Sequence, residues 1–206
     1  MESWIDMEGN PYFYGLSSHE NVEIKLYNKA NPLKPWKTMG RMHDKYLIAD
    51  GKIYILGGRN TYNYFLGDFP GHKNFDRDVL VVCDEPQKDN SVNQLWNYFE
   101  TIWEQEDCRY FHNSKKLADR QSVKKAVLEL QEGYQQYFEV NKEKICDTDY
   151  ADETFETEKI TLLSNPIHTQ AKEPVVWYQL GELMKNAKER VKIHTPYIIC
   201  NDMMYN

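Results

Sequence analysis

Six residues in one stretch have the types and the spacing for chemistry at a phosphate. They are His43, Lys45, Asp50, Gly57, Gly58 and Asn60, in the pattern H-x-K-x4-D-x6-G-G-x-N. An ammonium binds the anion, and an imidazole beside it can attack phosphorus or relay a proton. The two glycines leave room for a substrate to approach the backbone, and Asn60 brings amide donors for a phosphoryl oxygen. Taken singly, the pieces are ordinary: H-x-K on a strand is usually a polar face, and Asp-Gly is usually a turn. Six specified positions at fixed spacing are much harder to obtain by chance, and the balance falls on function.

The elements that must hold these residues are legible around them. Residues 46–49 and 53–56 are two short apolar, partly β-branched runs. Asp50-Gly51 between them is the dipeptide that best closes a tight hairpin, because Gly accepts positive φ. Side chains alternate along a strand, so His43 and Lys45 are expected on the same face.

His43, Lys45, Asp50, Gly57, Gly58 and Asn60 resemble the HKD motif of the phospholipase D superfamily. The neighbourhood, MHDKYLIADG followed by GGRN and then Tyr64-Phe65, is similar to the cardiolipin-synthase branch. DRDVLVV at 76–82, then Phe99 and Trp103 on a helix, resemble the stretch after the first motif there. The similarity runs from about Asn21 to the C-terminus and is weakest in the middle. It implies an α/β fold, a phospholipase D-like mixed sheet flanked by helices.

The chemistry that the resemblance implies is a two-step displacement at phosphorus. One motif histidine forms a phosphohistidine; its partner histidine protonates the leaving alcohol and then activates the acceptor. Lys45 and Asn60 would hold the non-bridging oxygens, and Asp50 would orient without reacting. Asp78 corresponds to an acidic position near the site; its structural alternative is a salt bridge with Arg77 or Arg59. Water as acceptor gives hydrolysis, and a phosphatidylglycerol hydroxyl gives cardiolipin. The resemblance implies no metal and no cofactor, and the sequence shows no cluster of ligands.

Enzymes of this branch have two lobes with one motif in each. This sequence has one: His19, His112, His168 and His194 all lack a lysine two residues on. The expected organisation is a phospholipase D-like lobe over 1–140 lacking its first strand-helix unit, an acidic linker over 141–158, and the start of a second lobe over 159–206. A lone histidine cannot be nucleophile and acid at once. The second would come from a second lobe in a parent protein, or from a second copy across a two-fold axis. Two other classes stay open: a homodimeric single-motif nuclease or phosphodiesterase, and a non-catalytic lipid- or phosphate-binding module.

Composition bounds these readings. The chain has 206 residues, 41% hydrophobic and 14% aromatic, enough for a packed core. A formal charge of −7 argues against a nucleic-acid-coating surface. Cys83, Cys108, Cys146 and Cys200 are scattered without a C-x-x-C pair, which reads as reduced thiols in a cytosolic setting. No apolar run approaches membrane-helix length and no signal peptide opens the chain. Membrane association is therefore expected through a parent protein or by peripheral binding.

Along the rest of the chain, 1–20 reads as irregular with one helical turn, and 22–27 (VEIKLY) as a half-buried strand. Residues 28–42 are a loop carrying Lys34-Pro35-Trp36-Lys37, read as solvated, with a substrate lip as the minor reading. Tyr62, Tyr64, Phe65 and Phe69 lie in a long connection, where they wall a lipid or nucleoside or pack under the sheet, and packing is the favoured reading. Residues 77–83 read as a buried strand. Ser91-x-x-Gln94 reads as a capping box opening a helix with Leu95, Tyr98, Phe99, Ile102 and Trp103 on one core-facing stripe. A second amphipathic helix is expected over 121–140, a strand over 159–163, a helix over 174–188 and a last strand over 190–200.

Overall fold

The structure is a computed structural model and describes residues 6–66, 70–83, 89–112, 114–168 and 173–194. It is mixed α and β, with five strands among the described residues in two small antiparallel sheets and helices against them. The chain divides into two compact units, residues 1–162 with 167–171, and residues 163–166 with 172–206.

The sheet that carries the candidate site has three strands in the order β2-β3-β4: Lys45–Ala49, Ile53–Gly57 and Asp78–Val82. The β2–β3 hairpin forms as its sequence predicts. Asp50 and Gly51 have φ of 52° and 66°, the two successive positive values of the turn whose twist matches paired strands. One face of this sheet carries Tyr46, Ile48, Tyr54, Leu56 and Val81 and packs on helix α2 (Ser91–Trp103) through Val92, Leu95 and Tyr98. On the other face Leu47 and Ile55 are exposed.

Helix α2 does not open with the expected capping box. Asn90 is the N-cap, its side chain accepting from Asn93 N at 2.8 Å. Ser91 is already helical and buried, and its hydroxyl accepts from the Tyr54 hydroxyl at 3.2 Å. Gln94 turns outward to bond Asp89 O and Leu162 N. Asn caps as well as Ser does, and with both in sequence the burial of Ser91 against Tyr54 decides between them.

The second sheet pairs β1 (Lys25–Tyr27) with β5 (Cys108–Tyr110). Beside it, helix α1 (Pro11–Ser17, N-cap Asn10) lies where the sequence suggested only one turn. Gly15 lets it approach the long helix α4 (Gln121–Cys146) closely, since a Cβ there would fall 2.8 Å from Val127 Cγ2. Tyr14, Phe111 and Val123 form the core at this contact, with the short helix α3 (Lys115–Ala118) alongside. Helix α4 runs beyond residue 140 to Cys146, and Val123 and Ala126 are its buried residues. Farther on, its apolar stripe leaves the core, and Leu130 and Tyr134 are exposed.

The acidic segment after α4 contains one turn, at 150–153, and otherwise irregular backbone, and the strand expected over 159–163 is not formed. Leu162 instead packs into the α2 core. The second unit contains helix α5 (Val175–Lys185) with Pro174 at its N-cap position. Asn165 Oδ1 accepts from Val176 N at 3.0 Å, satisfying one of the free donors at a helix start. Residues 190–194 are not a strand, and the remainder of the last expected strand, with Cys200, lies outside the described residues. No helix among the described residues is long and apolar enough to cross a membrane.

Candidate functional site

His43 lies two residues before β2, exposed, and Lys45 is the first residue of that strand. Lys45 Nζ is 2.9 Å from His43 Nδ1 and donates to His43 O at 2.6 Å. The two side chains meet, but irregular backbone and not a strand carries the histidine, so the strand alternation expected to align them does not reach it. Burial pulls the Lys45 ammonium below the usual lysine range, and the carboxylates of Asp44 and Asp76 pull it back up. A lysine ammonium has no acceptor. While it is charged, His43 Nδ1 must accept and the ring proton sits on Nε2, an assignment by elimination.

The antiparallel register puts Lys45 opposite Gly57, and Gly57 opposite Asp78. These three residues form the end rung of the sheet and share its less covered face. The space at Gly57 expected for a substrate is filled: a Cβ there would fall 1.9 Å from Asp78 Oδ1. The Asp78 carboxylate thus lies over the glycine, and Asp78 Oδ2 accepts from Arg59 Nε at 2.5 Å. Of the two salt bridges considered for Asp78, the one with Arg59 forms. Arg59 also donates to Phe65 O and Asp76 O at 2.9 and 2.8 Å, closing the base of the loop after β3. Gly58 is less constrained, with the Asp76 carboxylate 3.7 Å from where a Cβ would sit.

Asn60 follows in that loop, half-buried, three residues past Gly57. Beyond it Tyr62 and Tyr64 stack at 5.5 Å, and Tyr64 touches Phe65 at 4.9 Å. These aromatics pack on one another in the loop, with Tyr62 exposed, and not into the core under the sheet as expected; Phe69 lies outside the described residues. Asp50 is not brought to the site. It is exposed in the hairpin turn at the far end of β2, roughly 16 Å from Lys45 by the rise of a strand. A cleft of about 1010 Å³ also lies at that far end, among Val82, Cys83, Asp89, Ala151, Asp152 and 154–160.

One anchoring contact carried no signal in the motif. Asp44, between His43 and Lys45, points to the opposite face, where its Oδ2 accepts from the Tyr98 hydroxyl at 2.6 Å. Tyr46 and Tyr98 meet edge to face at 6.2 Å. Burial and then the Asp44 hydrogen bond push the Tyr98 phenol far above its usual value; burial and then the Asp44 charge push Tyr46 up to about 12. Helix α2 thereby pins the entry to β2. The signal that could have found it is the alternation that sends residues 44, 46 and 48 to the helix side.

Among the described residues no group of three or more His, Cys, Asp or Glu side chains gathers as a metal site. No family model, curated protein or solved structure matches the chain.

Proposed function

We propose that the chain handles phosphodiesters by phospholipase D-type chemistry, as part of a cardiolipin synthase-like phosphatidyltransferase with a phospholipid such as phosphatidylglycerol as substrate. The observation that carries this reading is the pairing of His43 Nδ1 with Lys45 Nζ at 2.9 Å, at the end rung of a hairpin that leads directly to Asn60. The sheet and helix α2 are then part of a phospholipase D-like lobe.

The reaction has two displacements. In the first, a histidine Nε2 lone pair forms a bond to phosphorus as the P–O bond to the leaving alcohol breaks, and an imidazolium from a second motif gives that alcohol its proton. In the second, that imidazole takes a proton from the acceptor hydroxyl, whose oxygen bonds phosphorus as the N–P bond breaks. Lys45 and the Asn60 amide stabilise the charge on the non-bridging oxygens. For His43 to act as the nucleophile, Lys45 must first leave Nδ1. A phosphate entering the site draws the ammonium away, Nδ1 takes up the proton, and Nε2 gains its lone pair. Substrate binding and activation are in this way one event.

Since one motif supplies one histidine, the chain as a monomer has little or no turnover. A second copy across a two-fold axis would complete a self-sufficient phosphodiesterase. DNA binding with a steep salt dependence would favour that reading as a nuclease. The test is to assay soluble phosphodiester hydrolysis across fractions of defined oligomeric state. Turnover confined to dimers, or to chains supplied with a second motif lobe, and lost in His43→Ala, is the expected result. Turnover by a proven monomer that depends on His43 would overturn the two-histidine mechanism.

A further inference from the structure

The mechanism leaves unused the segment just before His43. Residues 29–41 carry Lys29, Lys34, Lys37 and Arg41 and no carboxylate, on a chain whose net charge is −7. Its tip is apolar and outward: Leu33 is 84% exposed and Trp36 is 72% exposed, far more than ordinary packing leaves such side chains. Trp36 lies on a 3-10 helix, Pro35–Met39, preceded by a turn in which Leu33 N donates to Asn31 Oδ1 at 2.9 Å.

The root of the segment is fixed, so its tip is presented and not merely loose. Asn28, at a φ of 45°, donates its side-chain amide to Lys37 O and Gly40 O at 2.7 and 2.6 Å. Lys37 pairs with Asp107 at 3.2 Å, and Lys29 pairs with Glu8. Between root and strand β5 lies a cleft of about 250 Å³ whose lining includes Lys29, Lys34, Lys37 and Arg109 against the one carboxylate of Asp107. At the neighbouring end of β1, the Tyr27 phenol is buried and feels the charges of both Asp107 and Asp44. The patch therefore adjoins the residues that anchor the His43 strand.

We propose that residues 29–41 are a docking surface for a bilayer containing anionic phospholipid. Trp36 and Leu33 enter the headgroup boundary, and the exposed Lys34 between them binds lipid phosphate. An indole beside an aliphatic side chain suits the interface between headgroups and acyl chains. The basic residues answer the negative surface potential of anionic lipids. A nucleic acid would match the charge but offers nothing to Leu33, and the acidic remainder of the chain repels it. The inference builds on the phospholipid reading above, to which it gives a surface, but its measurement involves no turnover.

The experiment is sedimentation of the full chain with vesicles of phosphatidylglycerol and phosphatidylcholine, and with phosphatidylcholine alone. Preferential binding to the mixed vesicles, weakened by salt, is expected. Leu33→Ser with Trp36→Ala lowers partitioning about tenfold or more, and Lys34→Glu lowers it about fivefold or more. The mutated side chains are exposed, and circular dichroism confirms that each variant folds. No preference for phosphatidylglycerol, unaltered binding by either variant, or preference for duplex DNA over vesicles would each overturn the proposal. Vesicle binding without any response of His43 to phosphodiesters would remove the catalytic reading alone; the reverse would remove the docking surface alone.

Discussion

The Asp78 carboxylate occupies the place where a side chain on Gly57 would be, with Oδ1 only 1.9 Å from the position of a Cβ. The glycine is therefore required by the neighbouring strand. It gives Asp78 a seat from which to hold Arg59, and Arg59 closes the loop that carries Asn60.

Gly57→Ala must displace that carboxylate or bend the rung. It is expected to destabilise the fold by about 1–3 kcal/mol. Gly58→Ala meets Asp76 at an ordinary 3.7 Å, so its cost should stay below about 1 kcal/mol. Urea unfolding of both variants checks the contrast; equal costs would mean that Asp78 is not seated over Gly57.

Helix α2 offers a second comparison. Asn90→Ala removes the cap on Asn93 N and is expected to cost about 1 kcal/mol. Gln94→Ala removes no contact to an N-cap and should cost less, judged by the same unfolding midpoints. A greater loss in Gln94→Ala would restore the capping box.

The tyrosines behind the hairpin make stability fall in alkali. Unfolded tyrosines ionise near pH 10, whereas Tyr46 is held protonated to about 12 and Tyr98 is also raised. The folded state thus binds the extra protons, so their contribution is complete below pH 10 and is lost as the pH rises toward 12. Tyr98→Phe should show a smaller drop in urea midpoint between pH 9.5 and 11 than the wild type; an identical drop would contradict the shift.

Lys45 should behave as a functional residue and not a stabilising one. Its ammonium is disfavoured by burial, so the cost of keeping it charged is present at neutral pH and is relieved as pH rises through its lowered pKa. Lys45→Met should leave neutral-pH stability unchanged or improved. A marked loss of thermal stability in that variant would show that the ammonium is structural.

The hairpin was legible in the sequence because its information is local: alternating apolar runs and one Asp-Gly turn. Helix α2 was legible from its stripe, and its cap was not, because Asn90 and Ser91 are both good caps and only the Tyr54 contact separates them. The strand expected at 159–163 failed because an apolar run does not say whether it will pair or, like Leu162, plug a core. His43 and Lys45 meet although His43 precedes the strand, so the alternation that suggested a shared face is not what joins them. The seat of Asp78 over Gly57 and the hold of Tyr98 on Asp44 are long-range; alternation gives the face of Asp44 but not its partner. Asp50 shows the limit of a linear pattern, since it shares the motif and lies at the other end of the strand.

The central claim is that His43 and Lys45 together receive a phosphoryl group, and NMR of the His43 ring nitrogens during titration with a soluble phosphodiester or tungstate tests it most directly. The account predicts saturable shifts at His43 as Lys45 leaves Nδ1, abolished in Lys45→Met. Unmoved His43 resonances, or the same shifts in Lys45→Met, would contradict it.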